Sequence, residues 1–168
     1  DGLLCSLYVS DGSFTVTAGG LSTDDITVGL GDSAAATATV TVNGGAVRIG
    51  NGTESVDLGR KSTNNGNNAT GTLDLQNADS VVINVDQLRI GTTSSGSSSA
   101  VLGHLLLSDA GANTITATSV AVGDSVVPGN TGGTSTIQFG GGSNTVNTDT
   151  FSIGVRKSQA SVTIDAGG

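Results

Sequence analysis

Apolar and polar residues alternate along this chain in short bursts, separated by glycine and asparagine. The pattern is sharpest in residues 135–154, STIQFGGGSNTVNTDTFSIG. Ile137 and Phe139 alternate with polar neighbours, Val146 stands alone, and Phe151 and Ile153 alternate again before Gly154. Period-two alternation bounded by turn residues predicts three half-buried strands, and no helical period competes with it.

The same arrangement occurs twice upstream, in residues 71–91 (GTLDLQNADSVVINVDQLRIG) and 103–123 (GHLLLSDAGANTITATSVAVG). Aligned, Leu73/Leu75, Leu105/Leu107 and Ile137/Phe139 form a first column, and Ile83, Ile115 and Val146 a second. Leu88/Ile90, Val120/Val122 and Phe151/Ile153 form a third. The first column recurs every 32 residues, at Leu73, Leu105 and Ile137. A fixed period of this size denotes a solenoid, propeller or array, in which no unit buries its apolar face alone. Because the units match in register, the expected fold is all-β, a parallel β-helix of about five to six triangular rungs with one strand per face. The alternative is an antiparallel β-sandwich of about ten strands.

One solenoid domain is expected over residues 1–168, with regular repeats in 71–168 and irregular rungs in 13–70. Residues 1–12 contain the apolar run 3–9 and read as either a cap or an incomplete rung. In the irregular part, Phe14/Val16 and Val40/Val42 suit the first column and Ile26/Val28 the third. Val47 and Ile49 follow Val40/Val42 across a tight Asn43-Gly44-Gly45 turn, which a local hairpin also explains. Residues 51–70 read as a long polar connection with a short strand at 55–58. Residues 92–99 and 124–134 read as loops, the second holding the lone proline, Pro128. Val162/Ile164 open a further first-column strand, and the pattern stops within a unit.

Composition agrees with a narrow aliphatic core. There are 27 glycines, no methionine or tryptophan, and four aromatic residues in 168. The formal net charge of −8, with six scattered cations, excludes a nucleic-acid footprint. No apolar run approaches the length of a membrane helix, so membrane insertion by this chain is not expected. Cys5 has no second cysteine to bridge to.

Candidate chemistry is sparse. His104 is the only histidine and alternates outward from Leu105. It lacks the partner that a catalytic imidazole needs, and a Cys5–His104 nucleophile pair has no local signature. Asp24, Asp25 and Asp57 are the only acids suggestive of polysaccharide cleavage, and they are not visibly grouped. No enzyme and no cofactor are expected. Calcium is the one ion worth weighing, from turn aspartates and from residues 140–144, which match half of a calcium-binding nonapeptide. Asn51 and Asn68 head glycosylation acceptor triplets. Thr-x-Thr pairs, at Thr37–Thr39 and Thr114–Thr116 for example, suggest a water-ordering or glycan-binding face broken across columns.

Several stretches also resemble a family. Asn144-Thr145-Val146, Asp149, Phe151-Ser152-Ile153-Gly154 and Val162-Thr163-Ile164 are similar to repeats of secreted bacterial autotransporter and adhesin proteins, including those with autotransporter-associated β-strand repeats. Asn113-Thr114-Ile115, Val120-Ala121-Val122-Gly123, Val85-Asp86 and Leu88-Arg89-Ile90-Gly91 match in part. The likeness covers about residues 71–168. It implies a parallel β-helix at the cell surface or outside the cell, serving as stalk, adhesin segment or filament subunit, and no catalytic residue. The partners it implies are copies of the chain, the rest of a longer surface protein, or a host or matrix glycan.

Overall fold

A computed structural model of the chain describes residues 5–63, 66–94, 99–125, 133–156 and 158–165. Leu3 and Leu4 of the apolar start, residues 95–98 of the serine-rich loop, Pro128, Lys157 and residues 166–168 lie outside the described residues. The described chain forms fourteen strands and no helix. It opens with β1 (Ser6–Val9), β2 (Gly12–Val16), β3 (Leu21–Thr23) and β4 (Asp25–Leu30). The next pass is β5 (Ala36–Val42), β6 (Ala46–Ile49) and β7 (Ser55–Lys61). Then come β8 (Ala69–Asp74) with β9 (Ser80–Thr93), β10 (Val101–Leu106) with β11 (Ala112–Ser125), β12 (Thr134–Phe139) with β13 (Asn144–Val155), and finally β14 (Gln159–Ile164).

The strands stack into two sheets. One runs β14-β12-β10-β8-β5-β2, and the other runs β1-β4-β7-β9-β11-β13, with β6 pairing both β3 and β9. Every pairing is parallel. A meander or sandwich pairs sequence neighbours antiparallel. Here each strand pairs with its equivalent one pass away, so the fold is a parallel β-solenoid with each stack six strands deep. β5 and β6 sit in different sheets, so the tight Asn43-Gly44-Gly45 turn is a corner and not a hairpin.

Register follows the apolar columns. Phe14, Val40, Leu73, Leu105, Ile137 and Val162 stand in one ladder. Thr23, Ile49, Ile83, Ile115 and Val146 form the second. Leu7, Ile26, Val56, Leu88, Val120 and Phe151 form the third, with Val9, Val28, Leu58, Ile90, Val122 and Ile153 beside them. The polar connection after Asn51 therefore supplies a full third-face strand, β7. β1 is an incomplete earlier rung laid on β4. Between Ile26 and Ile137 the three ladders are almost fully buried, Leu75, Leu107 and Phe139 included. Each large aliphatic side chain so buried contributes about 1.5–3 kcal/mol.

Two expectations need correction. Columns two and three do not lie on separate strands in the regular units: β9, β11 and β13 run through both. The ladder skips only Asp86, Thr118 and Asp149 at the corner between the two faces. One unpaired residue suffices to turn the chain there, so no loop is needed. Secondly, the core positions Val146, Phe151 and Ile153 keep their register but not their burial. Val146 is partly buried, Phe151 is 38% exposed and Ile153 50%. They belong to β13, the last strand of its stack, so one side of each lacks a covering rung.

Glycine closes the corner between the third and first faces. The ladder skips Gly59, Gly91 and Gly123, and Gly59 and Gly91 have φ of 58° and 63°. A Cβ on Gly59 would lie 1.7 Å from the Leu102 carbonyl oxygen, and one on Gly91 1.8 Å from the Ser135 hydroxyl oxygen. The left-handed backbone and the close approach both require glycine.

Candidate functional site

The candidates for chemistry fall apart in space. Cys5 is free and exposed. Its N–H donates to Asp24 Oδ2 at 2.8 Å, and its carbonyl accepts from the Thr23 hydroxyl at 2.6 Å. His104 lies on β10 in the other sheet, half-buried in an outward ladder with Thr72 and Thr136. Its Nδ1 is 3.0 Å from Thr136 Oγ1, and burial holds its pKa below the ordinary value. Asp57 lies opposite Thr27 on the strand next to Asp25, one rung away, but its carboxylate is bonded to arginine. Among the described residues, no three of His, Cys, Asp and Glu gather into a metal-binding group. At residues 140–144, Asn144 turns its amide back to donate to the Gly140 and Gly142 carbonyls, at 2.8 and 3.0 Å. That loop is an asparagine-braced corner.

Asn51 and Asn68 are both exposed. Asn51 Oδ1 accepts from the Thr53 hydroxyl at 2.7 Å, and Asn68 Oδ1 accepts from Ala100 N–H at 3.1 Å. Thr37–Thr39–Thr41 lies on the first face and Thr114–Thr116 on the second. The first-face row continues as Thr39, Thr72, His104 and Thr136, so histidine interrupts the hydroxyls.

Stacked amides bond along the axis at the corners. Asn77 donates to Asn43 at 2.9 Å, and buried Asn113 donates to Asn144 at 2.8 Å. Asn113 also exchanges hydrogen bonds with the Ser108 backbone, at 3.0 and 2.9 Å. These bonds satisfy polar groups that would be costly to bury unpaired.

Two cationic features escape a linear reading. Lys61 is the first. It lies at the end of β7 and is fully buried. Its ammonium donates to the Asn67 carbonyl at 2.8 Å and to Ser99 Oγ at 3.1 Å, tying two connections to the glycine corner. Burial lowers its pKa, while the nearby Asp32 charge opposes that. Burial also works against the Asp32 carboxylate, but hydrogen bonds from Ser62 and Thr63 hold it below its ordinary range.

The second is on the third face. Arg89 grips the buried Asp57 carboxylate through Nε and Nη2, at 2.5 and 2.7 Å, and Nη1 donates to Gln87. The hydrogen bond to Asp57 raises the Arg89 pKa further. Arg60 reaches the same carboxylate at 3.5 Å. Arg156 chelates Asp124 at 2.7 and 2.8 Å. The three guanidiniums line one open groove of about 280 Å³, together with Thr92 and Ser119. Three of the six cations therefore share one face, where the linear reading expected scatter. The repeat period held the signal, since Asp57–Arg89 and Asp124–Arg156 are each 32 residues apart.

The remaining feature is the pair of open ends. Among the described residues, the exposed large hydrophobic side chains are Tyr8, Phe14, Phe151, Ile153 and Ile164. All five lie on β1, β2, β13 or β14, the outermost strands of the two stacks. No family model matches the chain, and no curated protein or solved structure is significantly similar to it.

Proposed function

We propose that this chain is a non-enzymatic structural β-solenoid of the cell surface or extracellular space, acting as a stalk segment, adhesin segment or filament subunit. The observation that carries this reading is the confinement of exposed large hydrophobic residues to the two ends of the coil. The flanks present hydroxyl and amide ladders, while the ends present apolar columns and unpaired strand edges. An unpaired parallel edge is a template for a further strand, and either a second copy or the continuation of a longer chain supplies one. The likeness to autotransporter-associated repeats supports the extracellular part of the reading.

Negative-stain electron microscopy over a range of concentrations, with and without calcium, tests it. Rods or fibres are expected, their form indifferent to calcium. Compact round particles would overturn the structural reading.

The arginine groove favours a second reading, side-on binding of an acidic glycan. Arg60 and Arg156 keep guanidinium donors not engaged by Asp57 or Asp124, and hydroxyls lie between them. A planar guanidinium suits a carboxylate or sulfate group. Retention on an immobilised uronic-acid polysaccharide, lost in the Arg60→Ala/Arg156→Ala double variant, is the expected result. Equal retention of both proteins would remove this reading.

A further inference from the structure

The two ends are not flat, and their steps fit each other. At the start, β1 occupies the third face one rung before β2 occupies the first face. At the finish, β14 occupies the first face one rung beyond the third-face half of β13. One end therefore projects a third-face strand and the other a first-face strand. We propose that a second copy of this chain docks head to tail so that its β1 and the first copy's β14 share one rung. This deepens the structural reading above and rests on it.

A single translation continues the first- and third-face columns, while the second face, five strands deep, has no described strand in the shared rung. On the third face, β1 of the second copy continues the stack after β13, with Leu7 on Phe151 and Val9 on Ile153. On the first face, β2 continues the stack after β14, with Phe14 on Val162 and Val16 on Ile164. These placements follow from the existing ladders, in which Leu7 aligns through Ile26 to Phe151 and Phe14 through Val40 to Val162. Both junctions are parallel, like every other pairing in the coil.

The chemistry of the junction agrees. Phe151, Ile153 and Ile164 at one end meet Leu7, Val9, Phe14 and Val16 at the other, so apolar side chains exposed or half-buried in one copy become inner positions on the first and third faces. The register also brings Asp11 of the second copy opposite Val155, next to Arg156, whose side chain is 51% exposed. Positive meets negative there, which favours this direction of docking. Because the contact is heterologous it repeats without closing, and the product is an open filament. Each copy advances the axis by six strand spacings, about 29 Å.

Disulfide trapping tests the register. In a Cys5→Ser background, one chain carries Tyr8→Cys and another Ser152→Cys, positions that the junction makes direct neighbours on the outer face. Parallel partners about 4.8 Å apart lie within disulfide range. Mixed under mild oxidation, the pair should cross-link at least ten times more than Tyr8→Cys with Thr150→Cys, which is two residues out of register. Thr15→Cys with Thr163→Cys probes the first-face junction independently and should cross-link equally well. Light scattering on the unsubstituted chain should show mass rising with concentration.

Equal cross-linking in and out of register would overturn the proposal. So would a constant monomer mass with intact β circular dichroism. That second result leaves the solenoid standing as a stalk segment, with the continuation of a longer chain as the occupant of its ends. Loss of the β spectrum in the unsubstituted chain would instead bring down the structural reading on which the proposal rests.

Discussion

The early passes, β2 to β7, and the later ones, β8 to β13, fill the same three columns by different routes. In the later passes one strand runs unbroken from the second face to the third. In the early passes the chain breaks there, between β3 and β4 and again between β6 and β7. Residues 50–54 form the larger break, with Gly50 and Gly52 at φ of 86° and 99°. Yet Val56 and Leu58 after that break are as completely buried as Leu88 and Ile90 above them. The loop itself stays on the stack, since Gly52 N–H donates to the Asn84 carbonyl and Asp86 N–H to the Glu54 carbonyl. Inward-facing pairs thus decide which residues occupy a rung, and the corner absorbs differences in length. A one-residue slip would turn a whole apolar set outward, whereas a longer loop costs little.

The largest effects should come from breaking the columns themselves. Leu58→Ala in an early pass and Leu88→Ala in a later one should each cost about 2–5 kcal/mol in urea unfolding. Near-equal losses would show both regions carrying the same core. A loss below about 1 kcal/mol at Leu58 alone would mean that the early passes are only loosely joined. Ile153→Ala, at the open end, should cost less than either.

Next comes the glycine corner. Gly59→Ala should cost about 2–4 kcal/mol, combining left-handed strain with overpacking. Gly91→Ala should cost less, because its severest clash is with the Ser135 hydroxyl, which can rotate away and leave contacts of 2.8 and 2.9 Å to Ser135 Cβ and Gly103 N, whereas at Gly59 it is with a backbone carbonyl. Reversal of that order in thermal melts would show that the corner yields more easily in the early passes.

Smaller still is the effect of corner length. Two glycines inserted after Gly52 should cost about 0.6 kcal/mol or less. The same insertion after Asp86 interrupts a strand and should cost several times more. Equal costs would contradict the distinction drawn between the two regions.

The smallest effect concerns His104. Burial keeps its folded pKa below that of the unfolded chain, which therefore binds more protons in the window just below the ordinary value of 6.5. The protein should be fully stabilised above pH 6.5 and lose stability as pH falls beneath it. His104→Thr, which restores the hydroxyl row, should flatten that part of the profile. An unchanged slope between pH 7 and 5 would show that the ring is not desolvated.

Columns were legible in the linear pattern because inward positions repeat a chemical type at a fixed interval. Leu73, Leu105 and Ile137 announce one another, and so do Val56 and Leu88 once the pass of β7 is recognised. Continuity of β9, β11 and β13 was hidden because Asp86, Thr118 and Asp149 resemble turn residues, although each occupies only a single corner position. The exposure of Phe151 and Ile153 was hidden for another reason. Burial in a stack depends on having a rung on both sides, which alternation within one strand does not report. Lys61 and the arginine groove depend on contacts between passes, so their charges are visible in the chain but their partners are not.

In such a coil the ladder hydrogen bonds lie along the coil axis, and this determines how the protein responds to tension. A pull on the two ends loads the rungs in series, so the outermost yields first and the rest remain folded. One regular pass of 32 residues, as between Ile83 and Ile115, holds only about 4.8 Å of axis while folded. Paid out as extended chain, it spans roughly 110 Å. The coil is therefore a compact reel of slack, lengthening some twentyfold per rung released. It would dissipate a tug through a sequence of small ruptures and leave its distal contacts unstrained.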